Sequence, residues 1–172
     1  MKKIYLATPG VFRPDSLAYG AELVNICLEA GYEGYYPHGE QEGDINPDPL
    51  AVARAIYKTN CDKIRESDYV VVDLNDFRAP GEPDSGVAWE VGFATGIGKP
   101  VWGYTSSDKT MIERVPTTFK SGIEVCEKGY VVENFGLLTN LMLSCSTMIF
   151  VGDLKECLAE IRAFETAYGV QE

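Results

Sequence analysis

Five short apolar runs punctuate the chain, and between them apolar positions recur at helical spacing. The runs are residues 3–8 (KIYLAT), 32–36 (YEGYY), 69–74 (YVVVDL), 100–104 (PVWGY) and 147–151 (TMIFV). Their length and their β-branched and aromatic content predict strands. Helices are predicted over 16–30, 49–66, 85–97 and 153–168. The second of these carries Leu50, Ala53, Ile56, Tyr57 and Ile64 on its apolar side. Gly31 follows the first as a C′ residue, Gly98–Lys99–Pro100 stops the third, and Asp153 stands where the fourth needs an N-cap. Near-continuous apolar strands alternating with helices predict a parallel sheet covered on both faces. Right-handed crossovers then favour a flavodoxin-like α/β three-layer sandwich, with a five-stranded parallel sheet of order 2-1-3-4-5.

Two stretches escape this alternation: the polar segment 37–48 (PHGEQEGDINPD) and the mixed region 105–135. Loops of such length in a compact domain are usually functional or disordered, so both are expected as walls of a site. No repeat or linker divides the chain, and a single domain over 1–172 is expected. That length buries about two-thirds of the unfolded surface without disulfides or metal. The cysteines at 27, 61, 126, 145 and 157 form no C-x-x-C pair. This favours reduced thiols in a cytoplasmic protein over a disulfide frame or a zinc site. Cys145 is expected to be a small buried residue. The opening MKKIYLATPG reads as a first strand rather than a signal peptide. No run approaches the ~20 apolar residues of a membrane span. The net charge is −11 and the 15 Lys and Arg are scattered, which argues against a nucleic-acid partner and for a small, weakly charged ligand.

Ligands of an open parallel sheet bind beyond the carboxyl ends of its strands. After the first strand comes TPGVFRPD (8–15), with an aromatic, Phe12, placed to stack on a planar ligand or to pack its own loop. After the third comes DLNDFRAPGEPDSG (73–86), with carboxylates at 73, 76, 82 and 84. Asp73 is placed either to face the site or to finish its strand. No G-x-G-x-x-G follows the first strand and no G-x-x-x-x-G-K-[ST] occurs, so the dinucleotide and P-loop readings lack their glycines. His38 is the only histidine, which leaves no His-based catalytic pairing and no supported metal site. No cofactor is expected.

Carboxylates remain. Glu90 lies inside the apolar run VAWEVGFA, about two turns into its helix, where the helix dipole favours a charged carboxylate. Asp84 stands at or before the helix start, free to fold back toward Glu90. Paired carboxylates serve glycosidic-bond chemistry through an oxocarbenium-like transition state. The same pattern also fits an aspartate that only caps the helix and a glutamate that is solvated.

The stretch DLNDFRAPGEPDSGVAWEVGFA, with KIYLATPGVFRPD before it and NLML at 140–143 after it, resembles the nucleoside 2-deoxyribosyltransferase family. It is closest to the branch with the pattern DLxxFRxxEPDxGTAFEVG. The resemblance implies a flavodoxin-like enzyme that cleaves the N-glycosidic bond of 2′-deoxynucleosides and passes the deoxyribosyl group to another base, with purine preference. Deoxynucleosides and free nucleobases are then the small-molecule partners. Carried over by motif, Glu90 is the nucleophile that attacks C1′, Asp84 holds the sugar hydroxyls, and Tyr5 orients the nucleophile. Gly86 of the motif belongs with the substrate-binding residues. Asn140 and Met142 are expected to reach a neighbouring subunit's site, implying a homo-oligomer. Asn60 stands where several members have an aspartate proposed to protonate the leaving base; an amide can hold a base but supplies no acid. Val87 and Trp89 depart from the Thr-Ala-Phe of the pattern and are read as packing variants.

A hydrolase of nucleosides or nucleoside 5′-monophosphates is the alternative activity. Ser85, Ser106 and Ser107 are its candidate phosphate donors, against the acidic segments 40–48 and 73–84. A non-catalytic binding module is the third reading, opposed by the presence of both Asp84 and Glu90.

Overall fold

A computed structural model describes residues 1–38 and 48–169. The main sheet joins β1 (Lys3–Ala7), β2 (Glu33–Tyr35), β3 (Tyr69–Asp73), β4 (Val101–Thr105) and β7 (Met148–Val151). Its order is β2-β1-β3-β4-β7, with every pairing parallel. Counting only strands of this sheet, that is the expected 2-1-3-4-5. The helices are α1 (Ser16–Glu29), α2 (Pro49–Glu66), α3 (Ser85–Gly96), α4 (Met111–Arg114), α5 (Leu141–Ser146) and α6 (Leu154–Tyr168). A 3-10 turn, Pro9–Phe12, follows β1.

Strand alternation sorts the core into two clusters. Ile4, Leu6, Tyr69, Val71, Trp102 and Tyr104 pack with residues of α1 and α6. Tyr5, Ala7, Val70, Val72 and Val101 pack on the other face with Ile64 of α2, Val87, Val91 and Ala94 of α3, and Leu143 of α5. Every residue of β3 and β4 is buried, which is why these strands read as unbroken apolar runs. Each fully buried Val there stabilises the fold by roughly 1.5–3 kcal/mol. Gly31, at φ +87°, follows the C-cap of α1, and Asp153 caps α6 through Lys155 and Glu156 N–H in a capping box. At the amino edge of the sheet Glu165 accepts hydrogen bonds from Lys2 Nζ (2.8 Å), Tyr32 OH (2.8 Å) and Tyr69 OH (2.9 Å).

Region 105–135 is more ordered than its pattern suggests. It holds α4 and an antiparallel pair, β5 (Thr117–Lys120) with β6 (Ile123–Cys126), outside the main sheet. The pair turns at Ser121 (φ 51°) and Gly122 (φ 86°). A turn needing two positive φ values is usually announced by Asn-Gly or Asp-Gly, and serine hides it. The NLML stretch caps and opens α5, a helix of 6 residues and too short to show a period. Cys145, expected to be buried, is exposed on α5, because a helix this short buries only its inner side, at Leu143. Most of the polar segment 37–48 lies outside the described residues.

Candidate active site

Tyr5 and Glu90 meet across the layer between β1 and α3. Tyr5 sits in the middle of β1, paired with Tyr35 and Val70, and is fully buried. Alternation turns it toward α3, where Val87, Val91 and Ala94 are buried. Glu90, three residues after Val87, lies beside that face and is half-buried. The Tyr5 hydroxyl donates to Glu90 Oε1 at 2.5 Å. The Tyr35 ring stacks on the Tyr5 ring at 5.8 Å. Glu90 Oε2 has no hydrogen bond among the described residues.

Asp84 ends the loop from β3 and is the N-cap of α3. Its Oδ1 accepts from the N–H groups of Gly86 (2.9 Å) and Val87 (3.1 Å), and the residue is buried. Its Oδ2 carries no hydrogen bond among the described residues. Gly86 is needed beside it: a Cβ at that position would stand 2.9 Å from Asp84 Oδ1.

The helix dipole, expected to keep Glu90 ionised, is outweighed. Burial pushes its carboxyl up to about 7, the Tyr5 hydrogen bond pulls the other way, and the charge of Asp84 pushes it up further. Burial, and then the carboxylate of Glu90, hold the Tyr5 phenol far above its ordinary range, so Tyr5 remains a donor. Of the two readings left open for the carboxylates, capping by Asp84 is present, but Glu90 is not a freely solvated side chain. Its oxygens are held within reach of Asp84's field, one bonded and one open, an arrangement suited to nucleophilic attack.

The other expected residues are distributed around this pair. Phe12 ends the 3-10 turn and is exposed; its ring lies 5.3 Å from that of Phe77, with the Arg78 guanidinium 4.5 Å over Phe77 and 5.6 Å over Phe12. Asn60 is half-buried on α2, next to the buried Cys61, and its amide makes no hydrogen bond among the described residues. Asp73 faces the opposite layer from Tyr5, with Tyr69 and Val71. It accepts from Thr8 Oγ1 (3.3 Å), Asn75 N (3.0 Å) and Asn75 Nδ2 (2.7 Å), which occupies it in tying strand ends together. Asn75 Oδ1 accepts in turn from Ser106 N and Oγ. Asn140 is the N-cap of α5, accepting from Met142 N (3.0 Å) and donating to Glu133 Oε1 (2.5 Å). Met142 is 71% exposed, and α5 packs on α3. Val87 is buried, whereas Trp89 is exposed and stacks on Phe93 at 5.2 Å.

Sequence reasoning missed the Thr8–Asp73–Asn75–Ser106 chain and the bracket of Arg114 on Asp76. Both join residues far apart along the chain, and no local signal marks them. Among the described residues no group of three or more His, Cys, Asp or Glu could hold a metal ion, and no helix is long and apolar enough to cross a membrane.

A family model described as nucleoside 2-deoxyribosyltransferase matches residues 4–142. A 2-desoxiribosyltransferase from Leishmania mexicana is similar in structure, with a TM-score of 0.73 and 32% identity, over 94% of this chain and 97% of that one. A conserved protein from Enterococcus faecalis shares the fold, with a TM-score of 0.57 and 22% identity, over 94% of this chain and 99% of that one. An uncharacterized protein of Schizosaccharomyces pombe is 31% identical, over 81% of this chain and 74% of that protein.

Proposed function

We propose, from the premise that this chain belongs to the nucleoside 2-deoxyribosyltransferase family and is an enzyme of the N-glycosidic bond, that it exchanges bases on 2′-deoxynucleosides through an ester on Glu90. The observation that carries this reading is the hydrogen bond from Tyr5 to one oxygen of Glu90, with the other oxygen open and Asp84 beside it. Ionised Glu90 attacks C1′ with Oε2, the C1′–N bond breaks, and its electron pair leaves with the base. Tyr5 holds the carboxylate in line, which lowers the cost of bringing it onto the anomeric carbon. Asp84 accepts from the sugar hydroxyls through Oδ2 while Oδ1 stays on the helix. An incoming base nitrogen then attacks C1′ from the face the first base left, the ester C–O bond breaks to release the carboxylate, and the proton that nitrogen loses balances, through solvent, the one the departed base takes up. Two displacements replace one difficult step.

Phe12 stacks on the base, and Asn60 offers it a donor and an acceptor. Gly86 keeps the mouth of the sugar pocket open. Asp73 acts behind the site, holding the ends of β1 and β3. The chain works as a single domain in a cytoplasmic homo-oligomer, with Met142 and the Asn140 turn placed against a neighbouring subunit's site. Deoxynucleosides and free bases are its partners, with no cofactor.

Incubating the protein with deoxyinosine and adenine is expected to yield deoxyadenosine, read by chromatography. Free deoxyribose formed at the same rate with or without adenine would support the hydrolase. Absence of both products would reject the reading.

A further inference from the structure

We propose that Arg114 is a positioning residue for this site, a single cation that ties the loop delivering Asp84 to the segment that caps α5. The inference rests on the reading that Asp84 and Glu90 hold the sugar. Arg114 closes α4, and its side chain is only 8% exposed. One terminal nitrogen, Nη1, donates to Asp76 Oδ1, and the other, Nη2, to the carbonyl of Leu138. Asp76 Oδ1 also accepts from Gly81 N (2.9 Å), and Phe77 N bonds Glu82 O (3.0 Å), so the turn from 76 to 82 is built on the carboxylate that Arg114 holds. Gly81, at φ +76°, runs so close to α4 that a Cβ there would lie 2.5 Å from Val115 Cγ2. On the other side Met111 N bonds Leu137 O (2.8 Å). Two residues beyond Leu138, Asn140 caps α5, and α5 packs on α3, the helix that carries Glu90.

The guanidinium suits the task because its rigid fork reaches two acceptors in fixed directions, which a lysine ammonium does not do. Its Nε is buried without an acceptor among the described residues. The group is therefore aimed by its two ends, not by saturation of all its donors. The bracket also offsets one negative charge in a loop that carries Asp73, Asp76, Glu82 and Asp84.

Arg114→Ala, Arg114→Lys and Asp76→Asn are compared with the parent by backbone hydrogen exchange and by deoxyinosine–adenine exchange kinetics. The reporters are the Gly81 amide, bonded to Asp76, and the Leu141 amide, bonded to Glu133 Oε2 at 2.8 Å. In Arg114→Ala both amides are expected to exchange at least about tenfold faster while those of β1 and β3 keep their rates. The same variant loses at least about tenfold in kcat/KM, and added guanidinium ion restores part of it. Should Arg114→Ala not fold, Arg114→Lys is read by the same two amides and the same kinetics. Asp76→Asn is expected to loosen Gly81 alone. Unchanged protection at both amides overturns the proposal, as does loosening of both with kcat/KM within twofold of the parent. If the parent makes no exchange product, the proposed function fails, while the amide rates still decide whether the bracket holds the two segments.

Discussion

Replacing Glu90 by Gln should make the protein more stable, and increasingly so as pH rises. The carboxyl has an ordinary value of 4.5 and sits at about 7 in the fold, raised by burial against the pull of the Tyr5 hydrogen bond. A group whose folded value is raised favours the folded state while it is protonated. That contribution is present below about 4.5 and is lost as pH climbs through 7. Moving a carboxyl by this amount makes its ionisation costlier in the folded state by about 3 kcal/mol. Glutamine keeps the acceptor that Tyr5 uses and carries no charge at any pH. The stability difference between Glu90→Gln and the parent is therefore expected near zero around pH 4 and about 3 kcal/mol by pH 8. In a chain of 172 residues this is roughly 6–12 °C in melting temperature. Urea unfolding of both proteins at several pH values from 4 to 8 measures the difference directly. A gap that stays flat with pH, or a variant less stable than the parent at pH 8, refutes the reasoning and with it the view that Glu90 is held charged against its surroundings.

Four further outcomes follow, three at the site and one at the amino edge of the sheet. The exchange rate should rise with pH through an acid limb near 7, because Glu90 acts ionised in the proposed first displacement. Tyr5→Phe, which removes the hydrogen bond that lowers Glu90's pKa, should move that limb to higher pH, read from kcat/KM profiles; an unmoved limb would detach Tyr5 from the proposed role of Glu90. Gly86→Ala should cost about 1 kcal/mol through the disturbed cap and lose activity well beyond that, since the new Cβ presses on Asp84 Oδ1 at 2.9 Å; activity equal to the parent's would show that Asp84 has room to move. Glu165→Gln should lower stability by about 1–2 kcal/mol at pH 7, having removed the charge that Lys2 meets. In the parent, burial alone would raise the Glu165 carboxyl, but the bonds from Lys2, Tyr32 and Tyr69 hold it below its ordinary value. Its contribution is thus present above about 4.5 and lost as pH falls further, so the gap measured in urea should close toward pH 3.

What could be read along the chain was whatever repeats at short range. The five apolar runs mark the five strands of the main sheet, and Asp153 marks the N-cap of α6. What could not be read depends on partners brought together by the fold. The charge state of Glu90 is the clearest instance: its position on α3 suggests a dipole that favours ionisation, yet desolvation by β1 and its neighbours dominates. Asp73 offers another. Its place at the end of β3 left facing the site and finishing the strand both open, and the hydrogen bond from Thr8, 65 residues away along the chain, ties it to the end of β1. Arg114 is invisible in the same way, since Asp76 and Leu138 lie 38 and 24 residues from it.

The carboxylates at 84 and 90 show why two opposed readings of one pattern need not compete. A capping aspartate and a sugar-holding aspartate look like alternatives only if the side chain is treated as one acceptor. Asp84 spends Oδ1 on the N–H groups of Gly86 and Val87 and leaves Oδ2 open. Glu90 likewise gives Oε1 to Tyr5 and leaves Oε2 open. In each case the bonded oxygen fixes the rotamer of the free one, so the entropy of orienting it is lost during folding and not at the moment of reaction. The cap is thus a precondition for the chemistry proposed for Asp84. Removing it would cost more in rate than the roughly 1 kcal/mol it contributes to the helix.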